Sequence, residues 1–282
     1  MPELPEVETV RRSLEPLIKK RTICQVDLRW SCLLKETRLA TLQGLVGSRF
    51  LRVRRRGKTL LFDLDRGQTM LFHLKMTGQL FLTSAAEPID KHDRLILKLD
   101  SPLELRFRDS RKFGYLMIFP TAAEAKVNPL SSLGPEPDSV TLEQFISLLS
   151  GHKGKIKPLL LRQDIIAGIG NIYADEILYR ARINPEKPTS QLNRAEFSRV
   201  YESMKEILSR AIRYRGTTVR TYRDGLGEQG DYQRRLQVYG REGKKCPACG
   251  QTIERKKVGG RSAFFCPRCQ RLKSSSPQSH KK

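Results

Sequence analysis

The hydrophobic positions of the chain change their period twice. Val7, Val10, Leu14, Leu17 and Ile18 recur at every third or fourth residue, the spacing of one helix face. Pro5, Glu6 and Glu8 stand at the start of this run, where a missing N–H costs nothing and the dipole favours negative charge. The pattern predicts a helix that anchors the first residues. From residue 22 to 120 it changes to short apolar runs: Thr59–Leu64, Thr69–Leu74, Gln79–Thr83, Arg94–Leu99, Leu103–Phe107 and Tyr115–Phe119. Runs of this length, divided by Gly, Pro and Asp, predict an antiparallel sandwich or barrel. Helical spacing returns over 141–150 and 155–215. One stripe is Leu142, Phe145, Ile146, Leu148 and Leu149, a second includes Ile172, Ile177 and Leu178, and a third is Phe197, Val200, Met204, Ile207 and Leu208. Between the two regimes Asn128–Ser139, with its three prolines, reads as a linker. Residues 216–235 are Gly-rich and charged and read as a mobile loop. The polar end, Ser274–Lys282, is expected to be disordered.

Charge sharpens this picture. Among 282 residues, 53 Lys and Arg face 30 Asp and Glu, a formal net charge of +23. Such a surface repels itself unless an anionic partner neutralises it, and nucleic acid does so with release of counterions. No apolar run is long enough to span a membrane. The opening residues are acidic and lack the basic-then-apolar plan of a signal peptide. A cytoplasmic protein is expected, with a monomer as the default.

Four of the six cysteines form two C-x-x-C pairs, Cys246/Cys249 and Cys266/Cys269, with sixteen residues between the pairs. In an intracellular protein this spacing predicts one closed, structural Zn2+ site that replaces a core too small to stand alone. Between the pairs, Ile253 to Phe265 with Gly259-Gly260 in the middle reads as a β-hairpin, with Arg261 at its tip. Residues 238–282 hold 12 Lys and Arg against 2 acids, a composition suited to a groove of DNA. Cys24 and Cys32 are left as reduced core or near-surface thiols.

The N-terminus offers a reagent. Loss of Met1 would leave Pro2 with a free secondary amine, and α-amino groups lose their proton near 7.7–8.0, well below lysine. Attack of that amine on a sugar C1′ gives an iminium, whose positive charge can drive strand cleavage by elimination. Glu3 stands beside it to move protons.

Several segments carry a resemblance. Met1-Pro-Glu-Leu-Pro-Glu-Val-Glu-Thr9, His73-Leu-Lys-Met76-Thr-Gly78, Asp109-Ser-Arg-Lys-Phe-Gly114, Gly168-Ile-Gly-Asn-Ile-Tyr-Ala-Asp-Glu176, Leu236-Gln-Val-Tyr-Gly240 and the four-cysteine module appear in the order of the bacterial formamidopyrimidine-DNA glycosylases. The resemblance spans nearly the whole chain. It implies an α+β multidomain protein: an N-terminal antiparallel β-sandwich with flanking helices (2–134), then a helix–two-turn–helix DNA-binding domain (135–237) with a lesion-capping loop over 217–232. A four-Cys zinc finger (238–272) and a disordered basic tail (273–282) follow. The implied activity is base-excision repair: release of oxidised purines such as 8-oxoguanine and formamidopyrimidines from duplex DNA, with AP lyase cleavage by β,δ-elimination. The implied setting is the cytoplasmic nucleoid of a bacterium.

The resemblance also assigns roles. Pro2 forms the Schiff base, Glu3 donates the proton for base release and Glu6 supports them. Lys58 contacts phosphate and serves as proton donor in β-elimination. Arg261 grips phosphates around the lesion and serves δ-elimination. His92, Arg111 and Lys153 match DNA-binding positions. Met76, Arg111 and Phe113 match the set that fills the hole left when a base leaves the stack. Asn171 opens a helix, where an Asn also serves as N-cap and where a phosphate can sit. Local patterns allow plainer roles: core for Met76 and Phe113, a surface turn for His92, and a solvated face for Lys153, Lys155 and Lys157. Ser110 and Lys112 depart from the family's usual proline and arginine. Two rival readings are weaker. An endonuclease VIII-like enzyme for oxidised pyrimidines usually carries glycine where Leu4 stands. A non-catalytic zinc-ribbon binding module leaves Glu3, Lys58 and Arg111 without a reason.

Overall fold

The computed structural model describes residues 1–219 and 221–272, so the expected tail over 273–282 lies outside the described residues. The chain divides into two compact units. The first comprises Met1–Pro137, Ile166–Ile169 and Leu208–Arg235, and the second Asp138–Ile165, Gly170–Ile207 and the described residues from Leu236 on.

In the first unit, helix α1 (Leu4–Ile18) precedes eight strands: β1 (Ile23–Leu28), β2 (Phe50–Arg56), β3 (Thr59–Leu64), β4 (Gln68–His73), β5 (Gln79–Ser84), β6 (Asp93–Leu99), β7 (Leu103–Arg108) and β8 (Tyr115–Pro120). A short helix, α2 (Leu39–Gln43), lies between β1 and β2. The strands form two four-stranded antiparallel sheets, ordered β1-β6-β7-β5 and β2-β3-β4-β8. Of the two architectures left open by the apolar runs, the structure is the sandwich. Val7, Val10, Leu14 and Ile18 of α1 join one core with residues of both sheets. Leu17 does not share their burial; at about 100° per residue it falls at the edge of the stripe, away from Ile18, and is exposed. Aromatic rings run through this core from Phe50 to Phe62, Phe72 and Phe107, with centroids 5.9, 5.6 and 5.7 Å apart. Phe107 lies in the other sheet, so the rings also tie the two layers together.

Every residue of β3 is buried. Leu60, Phe62 and Leu64 face the main core, while Leu61 packs with Leu71, Met117, Phe119 and Leu130 on the outer face. The segment read as a linker therefore works as a cover: Leu130 shields the outer face, and Glu136 pairs with Arg55 and Arg56. Strand β2 is not singled out by apolar runs because arginine fills positions 52, 54, 55 and 56. Its arginines are tolerated because Asp63, Glu124, Glu8 and Glu136 pair with them. The segment 216–235 is likewise held down. Tyr222 is buried and donates to the carbonyls of Glu6 and Arg215, and Gly225 bridges Ser13 Oγ and the Leu82 N–H.

The second unit holds α3 (Leu142–Ser150), α4 (Ile156–Leu160), α5 (Asn171–Ala181), most of α6 (Arg194–Arg213) and the hairpin β9 (Glu254–Val258) and β10 (Arg261–Phe265). Thr141 and Gln144 cap α3 reciprocally, each side chain accepting from the other's backbone N–H at 3.2 and 2.9 Å. The α6 stripe of Phe197, Val200, Met204, Ile207 and Leu208 is buried as its spacing requires. Among the described residues, no helix is long and apolar enough to cross a membrane.

Phe62 packs between two other rings, so Phe62→Ala should cost about 3–5 kcal/mol through lost burial and a residual cavity. Urea titration of the variant should show a lowered midpoint with an unchanged slope; an unshifted midpoint contradicts this account of the core.

Candidate functional site

The first helix places the N-terminal residues. Glu3 is its N-cap, and the Glu6 carboxylate accepts from the Glu3 N–H at 2.8 Å. The other Glu6 oxygen accepts from the Thr217 N–H at 2.7 Å, so one buried carboxylate fixes both the helix start and the segment after α6. Pro2 and Glu3 are buried, whereas Met1 is 46% exposed. Two residues from a distant part of the chain complete this corner. The Leu4 N–H donates to the Gly168 carbonyl at 3.0 Å, and Lys58 Nζ donates to the Ile169 carbonyl at 2.8 Å. Gly168 has φ +92°, and a Cβ there would lie 2.6 Å from Leu4 Cδ1. Only glycine permits both the conformation and the approach. The carbonyls of 168 and 169 thus bring the N-terminus and the Lys58 ammonium together.

A second cluster of this unit is made by two loops, that between β4 and β5 with Met76 and that after β7 with Arg111 and Phe113. Met76 and Phe113 are 42% and 50% exposed, which removes the core reading for both. Arg111 Nη1 lies 3.2 Å from Met76 Sδ, and its guanidinium stacks over the Phe113 ring at 4.6 Å. One buried carboxylate shapes the loop that presents Arg111 and Phe113, and it also ties that loop to the loop of Met76 through Thr77. Asp109 accepts from the N–H groups of Arg111, Phe113 and Gly114 at 3.1, 2.8 and 2.8 Å, and from the Thr77 hydroxyl. Lys112 takes a positive φ of 60° within this turn. His92 joins the same loop from behind, since its carbonyl accepts from the Asp109 N–H and its Nδ1 faces Arg94 Nη2 at 3.1 Å. His73, which opens the segment carrying Met76, is also set here. Its Nδ1 accepts from the Lys75 N–H at 3.0 Å. Burial above all, then the ammonium groups of Lys75, Lys58 and Lys35, push its pKa down to about 3.

In the second unit, Lys153 is exposed in the loop between α3 and α4. The solvated-face reading fails for its neighbour: Lys157 is fully buried and pairs with Asp175 at 2.7 Å. Asn171 is the first residue of α5, but the N-cap is Gly170. Asn171 Oδ1 is buried without a hydrogen-bond partner among the described residues, so its carboxamide is not spent on capping. Arg261 is exposed as the first residue of β10, paired with Val258 just beyond the Gly259-Gly260 turn. Cys24 and Cys32 are exposed.

The sulfurs of Cys246, Cys249, Cys266 and Cys269 lie within 4.8 Å of one another. Two of the separations are 3.9 Å (Cys246–Cys269) and 3.5 Å (Cys249–Cys266). Thiolates bound at about 2.3 Å around a tetrahedral ion stand about 3.8 Å apart, so the cluster fits zinc.

The family model described as "Formamidopyrimidine-DNA glycosylase N-terminal domain" matches residues 1–116, and that described as "Formamidopyrimidine-DNA glycosylase H2TH domain" matches residues 133–223. "Zinc finger found in FPG and IleRS" matches residues 243–272. The chain is 44% identical over 276 residues to the formamidopyrimidine-DNA glycosylase of Pelotomaculum thermopropionicum, covering 97% of this chain and 100% of that one. The chain belongs to the formamidopyrimidine-DNA glycosylase family. The enzyme of this name from Latilactobacillus sakei is 41% identical, with 96% and 98% covered. Among solved structures, a Lactococcus lactis FPG variant in complex with Fapy-dG-containing DNA has a TM-score of 0.90 at 39% identity, covering 96% of this chain and 100% of that one. Lactococcus lactis Fpg with DNA containing an abasic site matches with the same values. The family's finger and the fit of the four sulfurs together make the cysteines the ligands of one structural zinc.

Two outcomes follow from this geometry. Below about pH 6.5 the unfolded chain binds a proton that folded His73 refuses, so His73 draws stability down as the pH falls through that range. Its ring NMR signals should not titrate between pH 8 and 5; a midpoint near 6.5 contradicts the buried setting. Stripping zinc with a chelator should unfold the hairpin while the emission of Trp30, the sole tryptophan, packed on the sandwich core, is unchanged. DNA affinity, followed by fluorescence anisotropy, should be lost with the hairpin. Undiminished affinity would refute its role in gripping DNA.

Proposed function

We propose that this chain is a bifunctional glycosylase and AP lyase of base-excision repair, acting as a monomer on duplex DNA with oxidised purines or abasic sites. The observation that carries the proposal is the convergence of the N-terminus and Lys58 on the carbonyls of Gly168 and Ile169. An amine nucleophile needs a proton-handling cation near the sugar it attacks, and this corner supplies both. With Met1 attached, the Pro2 nitrogen is an amide and has no nucleophilic lone pair. Removal of the exposed Met1 frees the amine for attack on C1′ of the lesion nucleotide. Glu3 protonates the departing base, and Glu6 holds Glu3 in place. The attacking nitrogen gives up its proton, the C1′–O4′ bond opens with a proton taken up by O4′, and the ring-opened iminium so formed acidifies the C2′ hydrogen; its loss expels the 3′ phosphate, with Lys58 supplying a proton. Arg261 grips phosphates and serves the second elimination, which expels the 5′ phosphate.

The remaining residues hold the duplex. Met76, Arg111 and Phe113 form an exposed, mutually stacked set of the size needed to replace an extruded base, with Arg111 donating to the orphaned cytosine. His92, Lys153 and Asn171 contact the backbone. We assign catalysis to residues 2–134, the DNA grip to 135–237 with its lesion-capping loop over 217–232, and the finger to 238–272. The work is placed in the bacterial cytoplasm, on the nucleoid. The complexes of the Lactococcus lactis relative with Fapy-dG and abasic-site DNA support this choice of substrates.

Borohydride reduction during reaction with an 8-oxoguanine duplex should trap a covalent adduct that maps to Pro2. A variant with one additional residue retained before Pro2 should trap none. Equal trapping by both forms would remove Pro2 as the nucleophile.

A further inference from the structure

Among the described residues the zinc hairpin has two strands, and one edge of β10 has no neighbouring strand. Two groups on that edge are nevertheless satisfied. Lys157 Nζ donates to the Ser262 carbonyl at 2.5 Å, and Asp175 Oδ2 accepts from the Phe264 N–H at 3.1 Å. Ser262 and Phe264 are two apart, so these groups point to the same side, away from β9. The two side chains are themselves an ion pair at 2.7 Å, and both are fully buried. Lys157 belongs to α4 and Asp175 to α5. One charged pair thus makes two of the hydrogen bonds that a third strand would make to β10, and it ties the hairpin to two helices at once.

The hairpin is gripped at its turn as well. Gly259 lies against Pro158, the residue after Lys157, so closely that a Cβ there would sit 2.6 Å from Pro158 Cγ. On the β9 side, Glu186 joins Lys155 and Lys256. The grips at 158–259, 157–262 and 175–264 bracket Arg261. A hairpin bound only by its zinc knuckles could slide or rock at the far end, and a displacement of about 1 Å is enough to disable a catalytic group.

We infer that the buried Lys157–Asp175 pair is the positioning device of the finger, setting the height and angle at which β10 presents Arg261 to a DNA phosphate. Neither residue touches DNA or the sugar; both act through the β10 backbone. A buried ion pair rarely adds net stability over an apolar pair of like volume, while breaking it by removing one member is costly. What the charges supply here is direction. Each must bond one particular backbone group, so the hairpin has one register against the helices. An apolar pair would fill the same volume and leave that register unspecified.

This inference rests on the reading of Arg261 as the residue of the second elimination, and the experiment separates the two. Abasic-site DNA is cleaved by saturating protein under single-turnover conditions, and the ratio of β,δ- to β-product is measured with zinc content and borohydride trapping. Arg261→Ala should lower the ratio; if it does not, the role of Arg261 falls. The double variant Lys157→Met with Asp175→Leu should keep one zinc per chain and trap within about twofold of the parent, while its ratio drops about tenfold, as expected for a misplaced catalytic group. A ratio lowered by Arg261→Ala but unchanged in the zinc-loaded double variant overturns the positioning role. Hydrogen exchange in the parent protein provides a second measurement that needs no variant. The Phe264 N–H should be protected as strongly as the N–H groups paired between β9 and β10, and exchange at the rate of an open strand edge also overturns it.

Discussion

Two adjacent backbone carbonyls, those of Gly168 and Ile169, organise the chemistry of the N-terminal unit. A buried ammonium and a buried helix-start N–H both need acceptors, because leaving either unmet costs about 1–3 kcal/mol or more. The Leu4 N–H and Lys58 take them in sequence. The positive φ of Gly168 and its contact with Leu4 follow from this arrangement. Glu6 extends the same logic by binding the N–H groups of Glu3 and Thr217. Burial of a polar residue is thus the means by which distant segments are held at one corner.

The charge of the chain is less uniform in its use than in its composition. The densest arginine run, on β2, is neutralised within the protein by Asp63, Glu124, Glu8 and Glu136. In Lys153, Lys155 and Lys157, three lysines at alternate positions have three different fates: one exposed, one in a surface ion pair and one buried against Asp175. Other cations stay exposed on loops and on the hairpin, among them Arg111, Lys153 and Arg261. A count of basic residues identifies nucleic acid as partner but does not locate the contacts.

Buried carboxylates recur as loop-shaping devices. Asp109 gathers three consecutive-turn N–H groups beneath Arg111 and Phe113. Glu176 does the same for Gln237, Val238 and Tyr239, and burial raises its pKa even as those N–H groups oppose the shift. In each case a turn or loop owes its form to a buried carboxylate beside it. Over Asp109, this arrangement leaves the side chains of Arg111 and Phe113 free of any packing role in the core.

The sequence by itself determined the elements whose signals are local. Alternating or helical burial located most strands and the stripes of α1, α3 and α6, and the two C-x-x-C pairs located the zinc ligands, because period and spacing are properties of neighbouring residues. The family motifs named the candidate groups. Only the tertiary structure decided matters that depend on partners far along the chain. It placed Leu17, Met76 and Phe113 on the surface, paired the arginines of β2 with acids from elsewhere in the chain, and made a cover of the segment read as a linker. It moved the N-cap of α5 from Asn171 to Gly170, and it buried Lys157 opposite Asp175. A charge run reads the same in water or in a core; only the acid brought to it by the fold distinguishes the two.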